Sequence, residues 1–511
     1  MKSVRLMCIT AMAAFPLLAI PVSLAAQDSQ NQHHRHQHHH YKFVDLGTLG
    51  GPDSVVYGLT RPLNEQGMVS TCATTSVLDP NYPNINPYFL SQGDTYIQHA
   101  SLWQDGILTD LGTLPGGTSS CEQWISDTGL IVGGSTNGVM DAQLGVPEVH
   151  ATLWIGGKPF DLGTLGGNES IVWNVNNRGE IAGAAANTIA DSNAGFLFPS
   201  ATQLHASIWR NGVIQDIGTL GTGTDSMAYI VNERGQVSGI TFINNTINAT
   251  TGMPTADPFL WENGKMIDLG TLGGVYGVAN AFNNSGESAG YSDLAGDQTS
   301  HPFLWTKAKG MQDLGTLGGT FGQAEWMNNS AEVVGLATNA GDQLALAFLW
   351  KDGVMTDLNP ASDTFGEAEG INDGGQVVGT AQDSQGNSYG FLWENGGPMI
   401  NLQDLAAPVA DLSFNEAVYI NNRGEIVGNA SLPNGDNHAV VFIPCDENHP
   451  GIKGCDYSYV GANVLAEARA AHAIQPSAAS ASAAKLSPAE MTARLRSLTP
   501  HHHRRLGASA F

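Results

Sequence analysis

The chain reads as an all-β repeat protein, a β-propeller of about eight four-stranded blades, on three observations. One short β-rich unit recurs eight times, each unit holds four strand candidates, and the two ends of the repeat region are complementary. Asp-Leu-Gly-Thr-Leu-Gly-Gly starts at Asp45 and returns, with substitutions, at Asp110, Asp161, Asp216, Asp268, Asp313, Asp357 and Asn401. The intervals are 65, 51, 55, 52, 45, 44 and 44 residues, so the limiting unit is 44. Helical repeats would show a 3.6-residue period, and leucine-rich and β-helix repeats are shorter.

Each unit justifies its strands in order. Strand a runs into apolar-Asn-x-x-Gly, as in Val175–Gly179 and Ile371–Gly375. Asn bonds to its own following backbone and Gly takes the left-handed position, so this is a hairpin turn into strand b, Gly-x-apolar-x-Gly. Strand c is His-Ala-x-Leu-Trp, ending at Trp103, Trp154, Trp209, Trp261, Trp305, Trp350, Trp393 and finally Phe442. Pairs such as Asn263-Gly264 and Asp352-Gly353 turn it into strand d, which ends in Asp-Leu-Gly. The region opens on a strand d at Asp45 and closes on a strand c at Phe442. Those two ends together make one blade, which predicts a ring of eight sealed by pairing its first and last strands. Seven blades is the alternative count.

The three signatures together resemble the HAF-repeat family of bacterial extracellular proteins, named for a His-Ala-Phe triplet. The resemblance covers residues 41–445. Here the triplet also reads His-Ala-Ser, His-Ala-Thr, His-Pro-Phe and His-Ala-Val. What it implies is extracellular placement and the repeat fold, with no ligand attached.

Composition agrees. Charged residues are 13% of the chain, against about 25% in typical domains, and Gly is 62 of 511. Tight turns between short, mostly buried strands have that signature. Residues 1–25 read as a secretory signal: Lys2 and Arg5, an uncharged run from Leu6 to Ile20, and Ser23-Leu24-Ala25 before cleavage. No later stretch is long and apolar enough to span a bilayer. Residues 26–42 are then a disordered His-rich leader, 43–445 the repeat domain, and 446–511 a tail. The net charge of −26 becomes −28 without Lys2 and Arg5. That argues against a nucleic-acid partner.

Export permits disulfides, and removal of Cys8 leaves four cysteines with three possible pairings. Cys445–Cys455 closes a short loop and is favoured, with Cys72–Cys121 by elimination. The tail holds a helix start at Ser487-Pro488-Ala489-Glu490, with Met491, Leu495 and Leu498 on one face. Residues 457–511 carry six basic and two acidic side chains.

The repeated Asp and His read as structural, because equivalent points on different blades are too far apart to share chemistry. Function is expected where repeats differ. Just before the turn Asn stand Trp124, Trp173, Tyr229, Glu325, Trp326, Glu369 and Tyr419. Aromatic faces beside polar groups at ring-symmetric sites suit a sugar polymer. Long b–c loops at 72–98, 134–149, 184–204 and 240–256 suggest a raised rim on one face. His33, His34, His36, His38, His39 and His40 are weak metal candidates. No catalytic motif stands out, and no cofactor is expected. The favoured reading is a secreted, monomeric, non-catalytic protein binding extracellular glycans or envelope polymers through one propeller face. The alternatives are an adhesive surface protein or, third, a polysaccharide-degrading enzyme using Glu122, Glu325, Glu369 or Glu416.

Overall fold

The structure, a computed structural model, describes residues 40–455 apart from 93–94, 192, 410, 447–448, 450–451 and 454. The expected signal segment, the histidines from His33 to His39 and the helix after Ser487 lie outside the described residues.

Among the described residues the chain is all-β apart from short 3-10 turns, and is built from eight four-stranded antiparallel units of the β-propeller-like class. Sheet 1 has strands Gly50–Val55, Val69–Leu78, Tyr96–Gln104 and Ile107–Asp110. The following units repeat the a-b-c-d order. Their strands a are Ser120–Ile125, Ser170–Val175, Ser226–Val231, Gly273–Phe282, Gly318–Met327 and Phe365–Ile371. Units 4 to 7 are linked by single parallel bridges, Ala256 to Tyr276, Ser300 to Phe321 and Ala345 to Phe365. Sheet 8 comprises Ser413–Ile420, Ile426–Ser431, Asn437–Pro444 and, as its fourth strand, Tyr41–Asp45 from the other end of the chain. Phe43 pairs with Phe442 and Asp45 with Val440. This strand begins two residues before the expected start of the repeat region. Sheet 8 is also bonded to sheet 1: Val56 N–H donates to Asn429 Oδ1 at 3.0 Å and Ala439 N–H to Ser54 Oγ at 3.0 Å.

The repeat residues have local and inter-sheet tasks. Within each turn the Asn accepts from the backbone two and four residues on, as Asn176 does from Arg178 and Glu180, both at 3.0 Å. Its Nδ2 donates to the matching carbonyl of the next sheet. Asn176 reaches Asn232 (3.0 Å), Asn232 reaches Asn283 (3.1 Å), and Asn328 reaches Asn372 (3.1 Å). Asn372 reaches Asn421 (3.0 Å), Asn421 reaches Asn64 (3.0 Å), and Asn64 reaches Ser126 (3.1 Å). At Ser126 the shorter hydroxyl bonds Thr128 instead.

The second Gly of strand b has a different cause. In sheets 2 to 8 strand a carries a β-bulge three residues before the turn residue, for example between Val172 and Asn174. The bulge brings a strand-a carbonyl onto the Gly. A Cβ at Gly183 would lie 2.1 Å from Ile171 O, and one at Gly290 1.9 Å from Val278 O. In sheet 1 strand a ends at Val55, and Thr71 fills that place.

The repeated His and Asp clasp strands c and d. His99 Nδ1 lies 2.9 Å from Asp110, His150 2.9 Å from Asp161, His205 2.8 Å from Asp216, His301 2.9 Å from Asp313, and His438 2.9 Å from Asp45. The same Asp accepts the N–H of its own Gly, as Gly112 to Asp110 at 2.7 Å. Sheet 4 departs: Asp257 stands where His is expected and faces Asp268, and burial together with the Asp268 charge pushes its carboxyl up to about 7. The c-strand phenylalanines Phe259, Phe303, Phe348, Phe391 and Phe442 are wholly buried, as is Trp209, whose Nε1 donates to Leu162 O of the preceding sheet at 2.8 Å.

Both expected disulfides are present. Cys72–Cys121 ties sheet 1 to sheet 2. Cys445–Cys455 lies beside the pairing of the chain's first and last strands, where Cys445 N–H donates to His40 O. His449 within that loop contacts Asp446 and Glu425.

Candidate functional site

The ends of strand a and the a–b turns of all eight sheets surround one pocket of about 240 Å³. Its rim is built from the residue that follows the turn Asn (Ser126 in sheet 2). In each case the backbone N–H donates to a side-chain oxygen of its counterpart in the next sheet. Glu65 donates to Asp127 (3.1 Å), Asp127 to Asn177 (2.8 Å), Asn177 to Glu233 (3.0 Å) and Glu233 to Asn284 (3.0 Å). Asn284 donates to Asn329 (3.1 Å), Asn329 to Asp373 (2.9 Å), Asp373 to Asn422 (2.9 Å), and Asn422 back to Glu65 (3.2 Å). The eight bonds form a cycle. Each fixes a turn against its neighbour and satisfies a backbone donor that the hairpin leaves unpaired.

The floor is aromatic. Trp124 of sheet 2 and Trp326 of sheet 6 stack at 5.9 Å with 30° between planes, and Tyr419 of sheet 8 meets Trp326 edge-on at 5.7 Å. Trp124 and Tyr419 are buried, while Trp326 is partly exposed. Arg61 forms an ion pair with Asp127 and lies 3.8 Å from Glu65. Its Nε is buried without a partner. Burial alone would lift the Asp127 carboxyl. The Arg61 guanidinium, helped by the Asn177 amide, outweighs it and holds Asp127 below its ordinary range. Burial wins at Glu65, which is raised.

The expected site residues therefore separate into two layers. Trp124, Trp326 and Tyr419 stand two positions before the turn residue and line the pocket. Trp173, Tyr229, Glu325 and Glu369 stand at the bulge, one residue deeper, and do not. Trp173 and Tyr229 pack edge-to-face at 5.4 Å in an apolar cluster with Ile171, Met227 and Val278. Glu325 and Glu369 join Glu367 and Glu416 on sheets 6 to 8. Burial pushes Glu325 up to about 7. Burial and the neighbouring Glu charges push Glu367 and Glu369 well above the ordinary carboxylate range. Thr380 donates to Glu369 at 2.8 Å and Asn429 to Glu416 at 2.7 Å. Glu325 Oε2, Glu367 Oε1 and Gln323 Oε1 are buried without partners.

The first and third of the long b–c loops turn apolar side chains inward. Ile85, Tyr88 and Phe89 of the first, and Leu197 and Phe198 of the third, are buried in the same apolar cluster as Trp173 and Tyr229. Strand tips such as Val77, Leu78, Val139, Met140 and Ile189 are exposed, as is Tyr82 in the first loop.

Comparison with known proteins adds little. No family model matches the chain, and no curated protein matches it. Among solved structures it is similar to TolB from Acinetobacter baumannii, at 10% identity, TM-score 0.29, covering 61% of this chain and 79% of that one. A polysaccharide lyase of family PL25, an ulvan lyase, is similar at 10% identity and TM-score 0.30, covering 68% and 81%. A mutant of AofleA from Arthrobotrys oligospora is similar at 13% identity and TM-score 0.26, covering 48% and 78%.

Sequence reasoning misses Arg61 and the rim acceptors, Asp127 among them. Their signal is present: the residue after the turn Asn, or Ser126, always has a side-chain oxygen acceptor, namely Glu65, Asp127, Asn177, Glu233, Asn284, Asn329, Asp373 and Asn422. Among the described residues no three His, Cys, Asp or Glu side chains converge as metal ligands. His40, the one described member of the His tract, uses its carbonyl at the Cys445 pairing.

Proposed function

We propose that the eight sheets close as an eight-bladed β-propeller of the HAF-repeat family, and that the chain is an exported, monomeric, non-catalytic protein holding an extracellular glycan or cell-envelope polymer at the mouth of the ring. The observation that carries the reading is the pocket to which every repeat contributes, with two indoles and a phenol in its floor and amide and carboxylate groups around its rim. Aromatic faces take the apolar face of a sugar, and fixed amides take its hydroxyls. Export is supported by the disulfides, which persist in oxidising compartments. No helix among the described residues is long and apolar enough to cross a membrane.

Incubation of the purified protein with insoluble polysaccharides and cell envelopes, scoring both pull-down and new reducing ends, tests this. Pull-down without release, lost in Trp326→Ala, is the expected result. Release of reducing ends would overturn it in favour of a degrading enzyme. The exposed aliphatic tips of sheets 1 to 4 favour a second reading, protein–protein adhesion. Envelope retention that survives Trp326→Ala but is lost when Val77, Val139 and Ile189 become Ser would select that reading.

A further inference from the structure

The charge around the mouth is one-sided. Glu65, Asp127, Glu233 and Asp373 line it, against the single guanidinium of Arg61, itself bonded to Asp127. The arginines of neighbouring turns do not line it: Arg178 pairs with Glu180, Arg423 lies against Glu425 and donates to Glu65 O, and Arg234 donates to Ser285 O. Glu233 and Asp373 spend their rim bonds on neutral donors, Asn177 N–H and Asn329 N–H, so the charge of these two is not cancelled. Trp326, partly exposed beside Trp124 and Tyr419, brings its electron-rich indole to the same mouth. Carboxylates around a partly exposed indole attract a protonated amine and repel a uronate or sulfate.

We propose that the mouth selects amine-bearing glycans, polymers of hexosamine units with free, protonated amino groups. This rests on the glycan-binding reading above and narrows it to one class of sugar. The amine meets the rim carboxylates and the Trp326 face, while hydroxyls meet the Asn amides.

Titration calorimetry of the full chain at pH 5.5 with glucosamine hexamer and N-acetylglucosamine hexamer isolates the amine on an unchanged backbone. The free-amine hexamer is expected to bind at least about tenfold tighter, and to weaken about threefold to tenfold between 20 and 200 mM salt. The double variant Glu233→Gln, Asp373→Asn keeps both acceptor oxygens for the rim bonds, so its melting temperature should match the parent. It should weaken the free-amine hexamer about tenfold and the acetylated one by a smaller factor, so that the preference between the two hexamers shrinks toward unity. Equal affinity for the two hexamers, both lost in Trp326→Ala, would overturn the selectivity and leave the glycan-binding reading intact. Tighter binding of oligogalacturonate, or lysine hexapeptide binding as well as the amino sugar, would also overturn it. Binding of no glycan at all would sink both readings.

Discussion

Sheet 4 offers a test of the His–Asp clasp, because it is the sheet in which the clasp is replaced by two acids. Asp257 and Asp268 share a site that holds a histidine–carboxylate pair in five other sheets. Asp257 is raised from 3.8 to about 7. A raised acid binds its proton more tightly folded than unfolded. Its contribution is therefore full below the unfolded value near 4, declines as pH rises, and is lost by about pH 7. A rise of that size would correspond to about 4 kcal/mol at about 1.36 kcal/mol for each tenfold change in proton affinity. Asp257 is only partly shielded and Asp268 is exposed, so screening reduces the penalty to about 1–2 kcal/mol. Asp257→Asn removes the charge at constant shape. It should raise stability by that amount at pH 8 and by a smaller amount at pH 5, where the folded carboxyl still holds more of its proton. Asp257→His should gain at both pH values, and more at pH 6, where the imidazole is charged. The assay is chemical unfolding followed by near-ultraviolet circular dichroism at pH 5, 6 and 8, read as variant minus parent. Taking the difference cancels the titration of Glu325, Glu367 and Glu369, which both proteins share. A difference that does not change between pH 5 and pH 8 would refute the like-charge account of this pair.

Gly290→Ala should destabilise by more than about 2 kcal/mol, seen as a lower denaturation midpoint, because its Cβ would lie 1.9 Å from the Val278 carbonyl and the strand must shift. Ala331→Gly should stabilise by about 0.5–1 kcal/mol in the same assay, since Ala331 holds φ of +59° where the other seven repeats have Gly. Replacing Cys445 and Cys455 by Ser should cost about 2–3 kcal/mol for a loop of this length. The loss should appear first as faster amide exchange in Tyr41–Asp45, the strand that Cys445 flanks.

The repeat count and the complementary ends are readable because a repeat writes the same local constraint many times over. Asn-x-x-Gly is a turn whose Asn and Gly have local reasons, and the chain-end strands are recognisable as fragments of a known unit. The structural reading of the repeated Asp and His follows from the same logic, and the clasp bears it out. The pairing of Tyr41–Asp45 with the last repeat has an equally simple cause. A lone strand d at one end and an a-b-c set at the other each leave an open edge that the other fills.

The split of the site is not readable, and the reason is the bulge. Trp326 and Glu325 are neighbours in sequence, and so are the positions of Trp124 and Trp173 within their repeats. An ordinary strand would send alternate residues to opposite faces. The bulge breaks that alternation at one residue, and its position is set by how strand b packs, through a Gly that accepts a strand-a carbonyl at the distance of a missing Cβ. The cause of the Gly and the displacement of Glu325 are therefore one event, visible only when two strands are seen together. The rim shows the converse case. Its acceptors are conspicuous once aligned by turn, yet each looks like an ordinary solvated turn residue until its partner in the next sheet, 62 residues away for Glu65 and 44 for Asn329, is known. A ligand that reads the rim reads eight residues no two of which are close in the chain, so the site exists only to the extent that the ring of turns is bonded together.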